Sequence, residues 1–521
     1  MAADIKKNDD FSKGPISKTI LRLAVPMVLA QFVNVLYNIV DRMYIGHISD
    51  TSVDALTGVG VTFPILLMVT AFANLFGTGG TPLFSMARGA AQQGGEEGEK
   101  QRERAADVMN NTFSMLVIMG IILCMVVLLI KKPVLYLFGA SDATYPYADS
   151  YLSVYMLGSV FMMVSLGMNG FINAQGFANR GMLTVVIGAV VNIALDPLFI
   201  FVFDMGVQGA ALATVLSQLV SAVWVVRFLL GKRTLFRLEL KRMRPQAKLI
   251  GKITSLGISG FIMGFTSSAV QVACNAMLSQ HGGDLFVAVM TVINSIREVT
   301  YTPVNGVTSA AAPVVSFNYG AQKYKRVRGV IVFTTVVSFS YMVLVWLVLR
   351  LFPHVFIQLF NGDPQLLETC THAMHIYFFG CFMMALQMSA QSVVQAMGRA
   401  KQAIFFSLLR KVIIVIPLTF LLPQIPAVGV DGVFWAEAIS NFVGGGACYI
   451  TMLCTVWTRI KTQRNGRACT GEKVKRTEPR MGDKPVRLRF LYAAYSAVSG
   501  EGAVLSVPLA SLSEAVGSAT G

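Results

Sequence analysis

The chain has 521 residues, 54% hydrophobic and only 13% charged, with a mean hydropathy of +0.61 and a formal net charge of +16. Soluble domains carry roughly 25% charged residues, so this composition excludes a soluble globular protein and points to an integral membrane protein. The positive charge sits in loops and a tail that alternate along the chain, as a topology signal does, which argues against a nucleic-acid-binding surface.

Hydropathy divides the chain into twelve apolar spans, at about 20–46, 55–78, 105–130, 148–176, 181–204, 207–230, 250–279, 285–317, 328–351, 367–397, 402–423 and 430–457. No short signal-peptide core with a cleavage site precedes the first span, which is itself too long to be one. Within it, Leu21–Ile45 exceeds the roughly 20 residues that cross a bilayer. Two residues interrupt it: Pro26, which removes a backbone donor and favours a kink, and Asp41, a carboxylate where charge is costly. Asn34, Tyr37 and Asn38 fall at helical spacings and make a polar stripe behind Asp41. A second account of Asp41 is snorkelling to the nearby outer interface, or pairing with Arg42.

Span two ends in Gly77-Thr78-Gly79-Gly80, which lacks the Gly-Lys-Ser/Thr of a phosphate loop and reads as a site of close helix packing. Span four carries Asn169 and Asn173 one turn apart, suited either to a cavity wall or to helix–helix adhesion. In span five Asn192 and Asp196 stack on one face, and Pro197 loosens the turn beside them. Helical rise puts Asp196 about 22 Å and Asp41 about 30 Å from the cytoplasmic end, so a shared site is geometrically feasible. Residues 231–248 form a basic linker, either lying on the inner leaflet or simply solvated. Span seven contains no acid and offers Gln271. In span eight Arg297 and Glu298 are adjacent and point about 100° apart, leaving Glu298 to face a cavity or a partner helix. Arg410 and Lys411 in span eleven read as interfacial or structural. Residues 458–521 turn polar and then rich in small residues, as a disordered tail does.

Lys and Arg concentrate in one alternating set of connections, among them Lys6 to Lys18, Arg88 to Arg104, and Lys232 to Lys252, which places both termini in the cytoplasm. The chain also repeats. Pro82 with Gly89-Ala90 recurs as Pro313 with Gly320-Ala321, and Gly206-Val207-Gln208-Gly209 recurs as Gly429-Val430-Asp431-Gly432. Helix order is kept, so the expected architecture is all-α, with a cytoplasmic tail at 1–15, an N-lobe of six helices at 16–230, the linker, and a C-lobe of six at 249–457. An even number of helices per lobe implies a pseudo-two-fold axis along the membrane normal. The seven cysteines show no paired spacing, the five histidines form no ligand cluster, and no nucleophile–base set stands out, so neither an enzyme, a metal centre nor a cofactor is indicated.

The Pro26…Asp41 helix with VDRMYIGHIS, ARGAAQQ at 87–93, NIALDPLFIFVFDMGVQGAALAT at 192–214 and FNYGAQK at 317–323 resemble the multidrug and toxic compound extrusion (MATE) transporters over about 15–457. The resemblance implies a multi-pass cell-membrane antiporter that uses H⁺ or Na⁺ to expel amphipathic, often cationic, compounds. It implies that Asp41, Asn192 and Asp196 form the cation-coupling site, a possible Na⁺ site, and that the first helix bends at Pro26. Asn34, Tyr37, Asn38, Asn169, Asn173, Gln271 and Glu298 are candidates for the substrate cavity. Some members carry a Glu in the seventh helix where Gln271 stands, so coupling is expected in the first lobe alone. The expected partners are small molecules and membrane lipid, with the protein monomeric. The alternative is a lipid-linked saccharide flippase, whose cavity would be dominated by Arg and Lys to hold a pyrophosphate. A receptor or scaffold working through the tail would have no use for the repeat or the intramembrane acids.

Overall fold

The computed structural model describes residues 10–46, 52–358 and 364–457, and every regular element among them is helical. The first half runs α1 (Ile16–Gly46), α2 (Ser52–Ala90), α3 (Gly95–Leu137), α4 (Tyr145–Leu157), α5 (Ser159–Ala174), α6 (Ala178–Pro197) and α7 (Gly206–Leu230). The second runs α8 (Ala247–Gly320), α9 (Tyr324–Leu351), α10 (Pro353–Gln358), α11 (Pro364–Tyr377), α12 (Cys381–Ala396), α13 (Ala400–Leu408), α14 (Ile416–Leu421) and α15 (Asp431–Met452). The predicted tail at 458–521 lies outside the described residues.

Each predicted span falls on helix. Nine helices among the described residues are long and apolar enough to cross a membrane, and eleven when each bent pair counts as one span. The two bent pairs are α4–α5, at 54°, and α11–α12, at 49°, which are the fourth span of each half. The seventh and eighth spans are joined in α8 and part at Gly283, where φ is 71°. The stretch 285–317 is helical but carries Asn294, Arg297, Glu298 and Asn305, too polar to pass as an apolar span on its own. The side chains turned outward include Leu129, Leu137, Val202 and Phe265, an apolar surface that a bilayer would cover.

Internal repetition extends to backbone conformation. Gly176 and Gly398 end the fourth span of each half at φ 96° and 76°, and Gly206 and Gly429 open the sixth at φ 52° and 51°. Left-handed turns of this kind favour glycine, because a Cβ would strain them.

Among the described residues, three hydrophobic clusters fill the interior. One is built almost wholly from α2–α7, including Phe76, Phe84 and Phe171. Another is built from α8 to α15, including Leu278, Tyr377 and Phe434. The remaining cluster crosses between halves: Phe11, Ile20, Leu23 and Ala24 pack with Val314, Phe317, Val330 and Val393. The start of α1 is therefore anchored on the second half of the chain, and α1 also packs against α6.

The basic linker is held by side chains of the first half, while Lys232, Arg233, Arg237 and Lys241 stay exposed. Gln175 accepts hydrogen bonds from Thr234 Oγ1 (2.8 Å) and from the amides of Leu235 and Phe236 (2.9 Å each). Asn110 and Asn111 accept from the amides of Glu239 and Gln246, both at 2.8 Å, and Ser114 Oγ donates to the Met243 carbonyl at 2.7 Å. Arg242 adds an ion pair with Asp107 at 2.9 Å. That bond to Asp107 and a second to Glu239 push the Arg242 guanidinium above its ordinary pKa. The segment is thus held along α3 and the end of α5.

Candidate functional site

The polar face predicted for span five is present in α6. Asn192 and Asp196 are 1% and 0% exposed, and Asn192 Nδ2 donates to Asp196 Oδ1 at 3.1 Å. Their spacing of four stacks them, and Pro197 then breaks the regular ladder. The next five residues, Leu198–Val202, form a π turn. Such turns are rare and cluster at functional sites, because they re-aim side chains within a helix. A carboxylate buried at this depth is costly and needs a counter-charge, a proton or a bound cation. Asn192 Oδ1 is buried with no hydrogen-bond partner among the described residues, which leaves it an acceptor beside that carboxylate.

The outer end of α1 lies against this turn. Tyr44 meets Phe201 edge to face at 6.3 Å between centroids. The helical turn before Tyr44 carries Asp41, so its backbone comes near the π turn that follows α6. The side chains of Asp41 and Asn38 lie outside the described residues. On the same helix Asn34 is exposed and Tyr37 half-buried. Pro26 is buried and α1 runs on across it as helix.

The other cavity candidates are scattered. Asn169 and Asn173 press on the start of α6: a Cβ at Gly181 would overlap Asn173 Oδ1 and lie 2.9 Å from Asn169 Oδ1. Gly181 is fifteen residues before Asp196, about 22 Å of helix, so this pair packs helices far from the acid. Gln271 donates to Asn275 at 2.9 Å on an exposed face of α8. Glu298 is exposed farther along the same helix.

A second group of charges, in the second half, went largely unread in the sequence. Arg410 is 2% exposed and donates to Glu437 and, at 3.0 Å, to Asn441, both on α15. Lys411 donates to Ser267 Oγ and to the Met263 carbonyl on α8. Arg297 donates to the hydroxyl of Tyr377 at 2.8 Å. Arg410 and Lys411 stand within another π segment, Leu409–Val415. The signal was available: two cations in span eleven require a partner, and Glu437 is an acid well inside span twelve.

Comparison with known proteins follows the same lines. The MatE family model matches residues 26–198 and 260–421. The multidrug export protein MepA of Staphylococcus saprophyticus is 24% identical over 440 residues, covering 83% of this chain and 92% of MepA. MepA of Staphylococcus aureus (strain MSSA476) is 23% identical over 434 residues, with the same shares covered. Among solved structures, the outward-facing conformation of a multidrug resistance MATE family transporter superposes with a TM-score of 0.80 at 23% identity, covering 88% of this chain and 99% of that one. A MOP superfamily transporter from Pyrococcus furiosus, described by the reverse polarity of its binding pocket, gives a TM-score of 0.79 at 23% identity, with the same coverage.

Proposed function

This chain belongs to the MatE family of membrane transporters, and from that premise we propose that it is a cation-coupled antiporter exporting amphipathic, often cationic, compounds from the cytoplasm. Its substrates are small molecules and it is a transporter rather than an enzyme. The observation that carries the finer reading is the Asn192–Asp196 pair, fully buried, hydrogen-bonded and followed by Pro197 and a π turn. Asp41, one helical turn before the Tyr44–Phe201 contact, completes the coupling group.

Antiport needs one site that two ligands occupy in turn, and two states that expose it to opposite sides. With Asp196 and Asp41 ionised, the site attracts Na⁺ or a cationic compound. Protonation removes the buried charge, and α1 can then bend at Pro26 and reshape the cavity, since that residue leaves no hydrogen bond across the turn. The two lobes, 16–230 and 249–457, rock about the pseudo-two-fold axis, with both termini on the cytoplasmic side of the cell membrane and the protein acting as a monomer. Asn34, Tyr37, Gln271 and Glu298 present polar groups to the passage between them.

A lipid-linked saccharide flippase is the second reading, favoured by the cations Arg297, Arg410 and Lys411. The fully buried carboxylate in α6 weighs against it, since it would repel a pyrophosphate. Efflux of ethidium from proteoliposomes, driven by a pH gradient or a Na⁺ gradient imposed separately, tests the reading. Asp41→Asn and Asp196→Asn should each abolish gradient-driven efflux. Wild-type rates in both variants would remove the coupling assignment.

A further inference from the structure

Where the start of α1 meets α9, the surface of the bundle holds a groove of about 680 Å³. Its long wall is one face of α9, since Lys325, Arg328, Gly329, Val332, Phe333 and Val336 recur at helical spacings. Ile16 and Ser17, at the start of α1, form the other wall. Gly329 lets the two helices close at the floor, because a Cβ there would overlap Ile16 Cδ1. The long wall changes character along its length. Its first two turns carry the two cations, and the next carry only apolar side chains. Val332 is 47% and Val336 56% exposed, so the protein itself does not cover them. Helical rise puts Val336 about 12 Å beyond Arg328.

The charge around the groove has one sign. Residues 10–18 and 321–336, which meet here, contain Lys13, Lys18, Lys323, Lys325, Arg326 and Arg328 against a single acid, Asp10. That acid is engaged elsewhere: Lys13 stands 3.6 Å from it, and the Ser12 amide and Gln92 donate to it at 2.9 Å each. Arg326 is spent on the carbonyls of Phe11, Lys13 and Gly14. Lys325 and Arg328 therefore bring to the groove positive charge that Asp10 does not offset. Cations at one end and bare hydrocarbon at the other are complementary to an anionic amphiphile lying along α9.

We propose that this groove binds one anionic phospholipid, its phosphate on Lys325 and Arg328 and an acyl chain on Val332, Phe333 and Val336. Basic pockets between membrane helices recognise such headgroups, and the chain covers apolar surface that would otherwise be bare. A zwitterionic headgroup brings its own cation to a groove that already holds two, so net negative charge is what the groove selects. The two walls belong to different halves of the chain. A lipid seated between them bridges the halves and holds the start of α1, the part before Pro26, on α9.

The test uses the full-length protein in detergent, with dioleoyl phosphatidylglycerol or dioleoyl phosphatidylcholine added and bound lipids counted by native mass spectrometry. Wild type should hold one phosphatidylglycerol at concentrations where phosphatidylcholine is lost. Lys325→Gln with Arg328→Gln should weaken phosphatidylglycerol about thirtyfold, as for two cations at an anionic surface, and leave phosphatidylcholine unmoved. Lys232→Gln with Arg233→Gln, which removes two exposed linker cations, should change neither. A loss just as large in that control would overturn the proposal, because surface charge in general would then explain it. Equal affinity of wild type for the two lipids, or inorganic phosphate binding as tightly as phosphatidylglycerol, would also overturn it. A phosphatidylglycerol with a photoactivatable diazirine in its acyl chain gives a reading on wild type that needs no variant. Its crosslinks should fall on 332–336 and the start of α1, and crosslinks confined elsewhere would sink the assignment. Phosphatidylglycerol should raise the melting temperature of wild type more than phosphatidylcholine does. The same rise in Lys325→Gln with Arg328→Gln would remove the bridging role. None of these readouts depends on transport, so failure of the export reading would leave the lipid site standing.

Discussion

Gly89 and Gly320, equivalent residues of the two halves, meet where α2 passes α8, and each is seated on the other helix's backbone. A Cβ at Gly89 would overlap the Phe317 carbonyl oxygen and lie 2.8 Å from its carbon. A Cβ at Gly320 would overlap the Met86 carbonyl oxygen, 2.7 Å from its carbon. The same arrangement recurs farther along α2, where Gly79 sits on Ile253 and Gly257 on Leu75. Here the two halves approach as closely as backbones can.

Adding one methyl at this contact should separate the helices. Gly89→Ala and Gly320→Ala should each destabilise the described state by about 1–3 kcal/mol, the usual cost of overpacking. Because the strain is confined to the state in which α2 and α8 touch, spin labels on the two helices near Met86 and Phe317 should move apart. An unchanged label distance together with full thermal stability would show that this contact has slack.

The segment before α1 ties the same region together. Arg326 donates to the Phe11 carbonyl at 2.7 Å, to Gly14 at 2.7 Å and to Lys13 at 2.8 Å, and Asn318 also reaches Phe11 at 3.1 Å. The Phe11 ring stands edge to face with Phe317, and Arg88 lies 5.0 Å from both rings. Phe11→Ala should therefore cost about 3 kcal/mol, at the low end for a buried phenylalanine. Differential scanning of the purified protein should record a lower melting temperature.

Acid should loosen that segment. Burial pushes the Asp10 carboxyl up, but hydrogen bonds from Ser12 and Gln92 and the charge of Lys13 outweigh it and hold the group down to about 2. A depressed carboxylate stabilises the fold above its unfolded value near 3.8 and loses that contribution as pH falls toward 2. Amide exchange at residues 10–14 should rise across that window, and Asp10→Asn should remove the step.

Much of this was legible in the sequence. Long apolar runs located the helices, and the repeat already paired Gly206 with Gly429. The stacked Asn192 and Asp196 were legible because a spacing of four is a local property of one helix. What could not be read were partners fixed by tertiary folding. Asn110, Asn111 and Gln175 gave no sign that they hold residues 231–248, because side-chain to backbone bonds leave no pattern in spacing. Asn169 and Asn173 suited either a cavity wall or helix adhesion by spacing alone, and their closeness to Gly181 came only with the fold. Glu437 was overlooked because its partner is on a neighbouring helix.

Linker docking gives a direct check on that point. Gln175→Leu keeps the volume but removes the acceptor for three donors from residues 234–236. At about 1 kcal/mol for each bond lost, the cost should be about 3 kcal/mol. Limited proteolysis should then cut within 231–248 well before the helices are attacked. A linker as resistant as in wild type would mean that Asn110, Asn111 and the Arg242–Asp107 pair suffice to hold it.

The ion pair of Arg410 and Glu437 should behave asymmetrically. Glu437→Gln leaves a cation at 2% exposure with a neutral partner, and removing one member of a buried pair costs about 3–5 kcal/mol. Arg410→Met should cost less, since Glu437 keeps 13% of its side chain exposed and reaches solvent more readily. The double variant, Arg410→Met with Glu437→Gln, should be more stable than Glu437→Gln alone, because no buried charge is then stranded. Unfolding free energies of the three variants form a double-mutant cycle. A coupling energy near zero would mean that the two side chains do not sense each other. A large one would locate the second half's buried charge in this pair.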